Sequence, residues 1–242
     1  APELMPIQGR GMSRRIRYSY LLLRLSLAIA VLAMFWVPHF LHSSIDRGAV
    51  PLDVLQESLR SPAPAVLDEI YVMSLGVDLG IPDEKVVDVA DQIISGVLPV
   101  PRFSEVPLTL QGYPRDYQNG PSTLQLIMAS LEVERILLRA FDKTQDQKYL
   151  RLVIQRILGF AAHEERQRQA EGFLWNDHAV SARSSLLAGI WRHVQTMPEF
   201  PTSSSRAILS LIERTGRWLA KPSHFTVRTN HGVMQNLALL QI

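Results

Sequence analysis

The chain has 242 residues, 47% of them hydrophobic and 20% charged, with 25 basic against 23 acidic side chains and a net charge of +2. This balance excludes a disordered or low-complexity protein and leaves no basic stripe for nucleic acid. The absence of cysteine excludes disulfides, thiolate nucleophiles and cysteine-based zinc or iron–sulfur sites.

The basic excess sits at the N-terminus, where Arg10, Arg14, Arg15, Arg17 and Arg24 face Glu3 alone. Met12 reads as the biological start, and the pattern-free Ala1–Gly11 as upstream readthrough or a cloning scar. An apolar stretch then runs from Tyr18 to Leu41, and Leu25–Val37 is interrupted only by Ser26. With Leu21–Leu23 added and Arg24 snorkelling, it is long enough for a span of roughly 20 residues. A cleaved signal peptide needs a small-x-small site, and Trp36-Val37-Pro38-His39-Phe40 offers none. A buried core helix would not carry Arg14-Arg15-Ile16-Arg17 immediately before it. Residues 1–17 are therefore read as a disordered basic tail and residues 18–41 as a transmembrane signal-anchor. The positive-inside rule keeps the N-terminus in the cytoplasm and puts the chain from Ser43 onward outside it. The expected location is the inner membrane, single-pass, with the body on the periplasmic or extracellular side.

Residues 42–64 read as a linker with a short helix at Leu52–Leu59. Ala65–Leu75 has apolar residues at helical spacing and stops at Gly76. Pro82-Asp83-Glu84 opens the next helix, with proline early and acids in the first turn. Residues 98–120 are rich in proline, glycine and polar groups, and are expected to form a long extended loop. Pro121–Phe141 reads as one strong helix, and Thr144-x-x-Gln147 as a capping box for a helix over Asp146–His163. Helices at Asp177–Met197 and Ser203–Leu219 follow, and Thr229 or Asn230 caps a last helix still running at Ile242. That ending exposes an apolar face unless more chain follows, so a fragment is expected. No alternating strand run, GxGxxG, P-loop or HExxH is present, and His163 reads as a helix C-terminal histidine. The expectation is an all-α body over residues 65–242, with no metal and no cofactor.

Two clusters carry candidate chemistry. In the first, Trp175, Asp177, His178 and Arg183 gather within nine residues at a helix start. As local structure, Asn176 or Asp177 is an N-cap and His178 a first-turn residue, which leaves the gathering itself unexplained. The second is Asn230-His231-Gly232-Val233-Met234-Gln235. Here His231 and Gln235 share one helix face. Local structure would make Asn230 a cap and His231 a satisfied buried histidine. Gly232 in a first turn costs up to about 1 kcal/mol relative to alanine, and suggests close approach of another chain or a ligand.

The pattern Trp175-x-Asp177-His178-Ala179-x-x-x-Arg183, followed by Asn230-His231-Gly232-x-x-Gln235, resembles the N-terminal helical domain of the heparinase II/III-like polysaccharide lyases. So does Ser122–Tyr149, which ends in Asp146-x-x-Tyr149-Leu150. The resemblance covers roughly residues 95–242; the two short motifs are moderately specific and the helical background is not. It implies an incomplete (α/α) toroid of antiparallel helix pairs followed by a β-sandwich, and cleavage of acidic, uronic-acid polysaccharides by β-elimination. Asn230 would donate to the uronate carboxylate, and His231 would donate or act as base. His178 and Arg183 would bind or orient acidic sugar groups, with Asp177 and Gln235 lining the same cleft. Trp175 is a stacking platform or a core residue, and Arg183 is alternatively an ion-pair partner of Asp177. The family's proton-transferring tyrosine and a further histidine lie downstream of the segment this chain matches. Neither Tyr113 nor Tyr117 is assigned that role, so residues 1–242 alone are expected to be inactive.

Three other functions compete. A toroid without chemistry would serve as a carbohydrate-binding scaffold of exopolysaccharide assembly. A glycoside hydrolase on an (α/α) barrel needs two carboxylates roughly 5–9.5 Å apart; among Asp116, Glu164, Glu171 and Asp177 no spacing singles out a pair. A plain helical module tethered to the membrane is the fourth reading.

Overall fold

The computed structural model describes residues 50–60, 79–100, 106–110, 113, 120–167, 172–226 and 230–242. The chain divides into residues 1–43 and residues 44–242, and every described residue belongs to the second unit. The expected membrane anchor at 18–41 and the expected helix at Ala65–Leu75 lie outside the described residues. Among the described residues no helix is long and apolar enough to cross a membrane.

The described residues form an all-α unit of eight helices. These are α1 (Leu52–Arg60), α2 (Val86–Ile94), α3 (Ser122–Ala129), α4 (Glu132–Thr144), α5 (Gln147–Glu165), α6 (Asp177–Gln195), α7 (Thr202–Leu219) and α8 (Asn230–Gln241). Within the expected extended loop, β1 (Val97–Leu98) and β2 (Val106–Pro107) form a two-stranded antiparallel ladder. Leu98, Val100 and Leu108 bury their side chains in the core, which explains why this proline-rich stretch follows the body.

The helices follow the 3.6-residue period. On α5, Tyr149, Leu150, Val153, Ile157, Phe160 and Ala161 form one buried stripe. On α6, Ala179, Ser181, Ala182, Ser184, Ser185 and Gly189 are buried with several larger residues. The small side chains let α3, α4, α7 and α8 all approach it. Their hydroxyls are satisfied inside the helix: Ser181 donates to the Asp177 carbonyl at 2.7 Å and Ser184 to that of Val180 at 2.9 Å.

Helices α2, α4, α6 and α8 are neighbours in succession; α5 packs on α4 and α7, and α7 on α6. Helix α1 packs on α7. Ser210 accepts from the Val50 N–H at 3.1 Å, and Arg206 donates to the Val50 carbonyl at 2.8 Å, so this stretch is part of the body's packing.

Two sequence expectations are corrected. Pro121–Phe141 is not one helix. It breaks at Leu131, whose φ of 61° is left-handed and whose side chain is fully buried. Such a conformation costs a leucine roughly 1–2 kcal/mol, and burial of the side chain among α3 and α4 offsets it. No proline or glycine marks the break, so no local signal exists. The cap of α5 is Asp146, whose carboxylate accepts from the Lys148 N–H at 2.9 Å. Thr144 instead donates to the Ala140 carbonyl at 2.7 Å and accepts from the Asp146 N–H at 3.2 Å. With Gln145 left-handed at φ 58°, the connection is too tight for the expected capping box.

Candidate active site

Helices α6 and α8 start at the same end of the unit, and both sequence clusters lie at those starts. Asn176 caps α6: its side-chain oxygen accepts from the His178 N–H at 3.0 Å. That extended residue frees Asp177 to turn its carboxylate toward α8, where the helix N-terminus favours negative charge. Asp177 Oδ1 accepts from the His178 N–H at 2.9 Å. Asp177 Oδ2 accepts from His231 Nδ1 at 3.0 Å and from Thr226 Oγ1 at 2.6 Å. Burial alone would raise the Asp177 pKa; the donors from Thr226, His231 and the His178 backbone outweigh it and hold the carboxyl below its ordinary range.

The His178 and His231 rings meet edge to face, 5.4 Å between centroids. Burial, reinforced by the neighbouring His231, lowers the His178 pKa against the pull of Asp177, so His178 favours the neutral imidazole. Asn230 is exposed as the first residue of α8. Thr229, the alternative cap, is outside the described residues. The side chain of Asp177 is 16% exposed and that of His231 37%. The pair is therefore sheltered yet open to a ligand.

Gln235 is fully buried, and both ends of its amide are engaged by the loop preceding α8. Its Oε1 accepts from the Thr226 N–H at 2.9 Å, and its Nε2 donates to the His224 carbonyl at 2.7 Å. Its amide serves the loop. Gly232 shows why the loop can lie so close. A Cβ there would stand 2.5 Å from the Thr226 carbonyl oxygen and 3.2 Å from the Phe225 ring. The chain whose close approach the glycine signalled is the protein's own loop.

Trp175 and Arg183 lie in the core. The Trp175 ring is 4% exposed and packs against Trp218, 5.9 Å between centroids. Arg183 is fully buried, with its guanidinium 5.0 Å from the Trp175 ring and 5.2 Å from Phe160. Its Nη1 donates to the Leu174 carbonyl at 2.5 Å. Among the described residues its Nε and Nη2 have no hydrogen-bond partner. Burial pulls the Arg183 pKa down to about 10, against the opposing effect of Glu164, so it remains cationic at neutral pH. The alternative ion pair of Arg183 with Asp177 is not formed, since Asp177 is taken by Thr226 and His231. Arg183 instead anchors the turn Phe173–Trp175 that delivers Asn176 and Asp177 to the start of α6.

The structure thus brings together Asp177, His178 and His231, sets Asn230 beside them in sequence at the α8 start, and leaves Trp175, Arg183 and Gln235 supporting the surrounding turns. Sequence reasoning missed Thr226. The only signal was indirect: a glycine at 232 that demanded an approaching backbone. Among the described residues no group of three or more histidine, aspartate or glutamate side chains could hold a metal ion. No protein-family model matches the chain, and no curated protein or solved structure matches it either.

Proposed function

We propose that this chain is the helical part of a membrane-anchored, extracytoplasmic polysaccharide lyase that cleaves a uronic-acid polysaccharide by β-elimination. The observation that carries the reading is the meeting of the two resembling motifs, some fifty residues apart, through the 3.0 Å bond from His231 to Asp177. An incomplete (α/α) toroid is supported by the helix neighbours. In such a fold, alternate helices run side by side, as α2, α4, α6 and α8 do here.

The chemistry asks for few groups. Elimination removes the proton on C5 of the uronate, forms the C4–C5 double bond with that electron pair, and expels the C4 oxygen. Charge builds on the adjacent carboxylate, and a neutral donor aimed at it lowers the barrier. The exposed Asn230 amide is that donor. His231, with Nδ1 bound to Asp177, accepts the C5 proton on Nε2. His178, favouring the neutral form, stands beside it without adding a competing positive charge. The leaving oxygen takes its proton from a further acid, the role that the resemblance gives to a tyrosine downstream of the matched segment.

The test uses the protein as its cell makes it. Asn230→Ala should cut the rate at which the C4–C5 double bond appears in absorbance by a factor of about 10²–10³, with polymer binding retained. Residues 1–242 alone should bind without eliminating. Hydrolysis without a double bond would move the protein to the glycosidase reading. Binding with no cleavage by the intact protein would favour a carbohydrate-binding scaffold.

A further inference from the structure

Three donors converge on one carboxylate, and two of them share a single oxygen. Thr226 Oγ1 and His231 Nδ1 both reach Asp177 Oδ2, at 2.6 and 3.0 Å. The His178 N–H occupies Oδ1. The carboxylate is therefore held from both oxygens, and its torsional position is set before the imidazole arrives. Thr226 is itself held. The buried Gln235, on the same helix and face as His231, grips the Thr226 N–H and the His224 carbonyl. His224 in turn stacks on Trp218 at 4.3 Å, and one of its ring nitrogens, Nδ1, lies 3.0 Å from the Trp218 carbonyl. The loop is held at His224 and at Thr226, whose hydroxyl donates to Asp177.

We infer that Thr226 and Gln235 are positioning residues that select the Nδ1–H tautomer of His231. The proposal deepens the lyase reading, in which Nε2 takes the proton. A neutral imidazole on its own favours the Nε2–H form, which would place its proton where the substrate's proton must go. An aspartate fixed opposite Nδ1 reverses that preference, because the acceptor is already oriented and only the Nδ1–H form can donate to it. Thr226 fixes the aspartate, Gln235 fixes Thr226, and the Gly232 backbone admits the loop.

The readout is the tautomer of His231 in long-range proton–nitrogen spectra of the 242-residue chain, above the pH at which the ring is charged. His231→Gln identifies the signals by their loss. The unmodified chain should show mainly the Nδ1–H form. Thr226→Val keeps the shape and removes the hydroxyl, and should shift the ratio toward Nε2–H about threefold or more, the scale of one lost hydrogen bond. Thr226→Ser should retain the original ratio. Thr226→Ala gives a second hydroxyl-free variant should valine disturb the loop, with circular dichroism reporting the fold. A dominant Nε2–H form in the unmodified chain overturns the proposal, as does a Thr226→Val ratio equal to that of Thr226→Ser. These measurements need no substrate. Failure of the relay leaves the Asn230 test standing, and failure of the Asn230 test leaves the tautomer result standing.

Discussion

Two sets of charged side chains in this protein are built on different chemistry. In the core, Glu134 pairs with Arg156 at 2.6 Å and Glu164 with Arg214 at 2.5 Å, all four side chains buried. A guanidinium gives up no proton in a protein, so these pairs hold position and nothing more. Where α6 and α8 start, Asp177 meets a hydroxyl and an imidazole, groups that can exchange a proton, and the pair is partly open. The first set ties α4 to α5 and α5 to α7, and the second brings together groups that can exchange a proton.

The strongest way to break that comparison is to remove one partner of a core pair. Arg156→Leu leaves Glu134 buried and alone and also frees the Thr109 carbonyl that Arg156 holds at 2.8 Å. Denaturant unfolding should show a loss of about 3–5 kcal/mol. A loss below 1 kcal/mol would mean that the core pair is not a stability element. Replacing both Glu134 and Arg156 by apolar residues should recover most of the loss, because no lone charge remains.

A smaller effect is expected where the loop meets α8. Gly232→Ala drives a Cβ into the Thr226 carbonyl, which is backbone and cannot swing aside. The expected loss is about 1–3 kcal/mol in the same unfolding measurement, with displacement of Thr226 from Asp177. Gly216→Ala is the contrast. Its Cβ would lie 3.2 Å from a side-chain carbon of Ile242, which can move. Its helix-propensity gain of up to about 1 kcal/mol offsets the contact, so unfolding should shift little. Equal losses at the two glycines would remove the argument for a fixed loop.

The smallest effect is one of pH. The His178 pKa is depressed from its ordinary 6.5. The folded state therefore binds fewer protons there than the unfolded chain. Its stabilising contribution is complete above pH 6.5 and is lost as the pH falls through the lower folded value. The Asp177 pKa is depressed from 3.8, so its contribution is complete above that pH and is lost in stronger acid. Midpoints of thermal unfolding should fall between pH 7.5 and 5, and His178→Gln should flatten that part of the curve. An unchanged slope in the variant would assign the effect to another group.

The comparison also separates what could be read from the chain itself. Helix periodicity is local, so α5, α7 and the Asn176 cap of α6 follow from neighbouring residues. The two motifs were visible as clusters, and Gly232 announced a close approach. Nothing local marked Leu131, because its left-handed turn is held by burial of its side chain and not by a glycine. Nothing local marked Thr226 either, since its role depends on a carboxylate 49 positions away.

What the sequence determined by itself was the all-α class, the stripes that pack the helices, and the residue types at the two helix starts. Hydrophobic spacing and capping chemistry act within a few residues, so they can be read without a fold. Only the tertiary structure decided that α6 and α8 begin side by side, that Arg183 and Trp175 are core residues, and that Asp177 is shared between Thr226 and His231. Those outcomes depend on which helix faces meet, and that choice is made by packing across the whole unit, where small residues on α6 let α8 come close enough for a 3.0 Å bond.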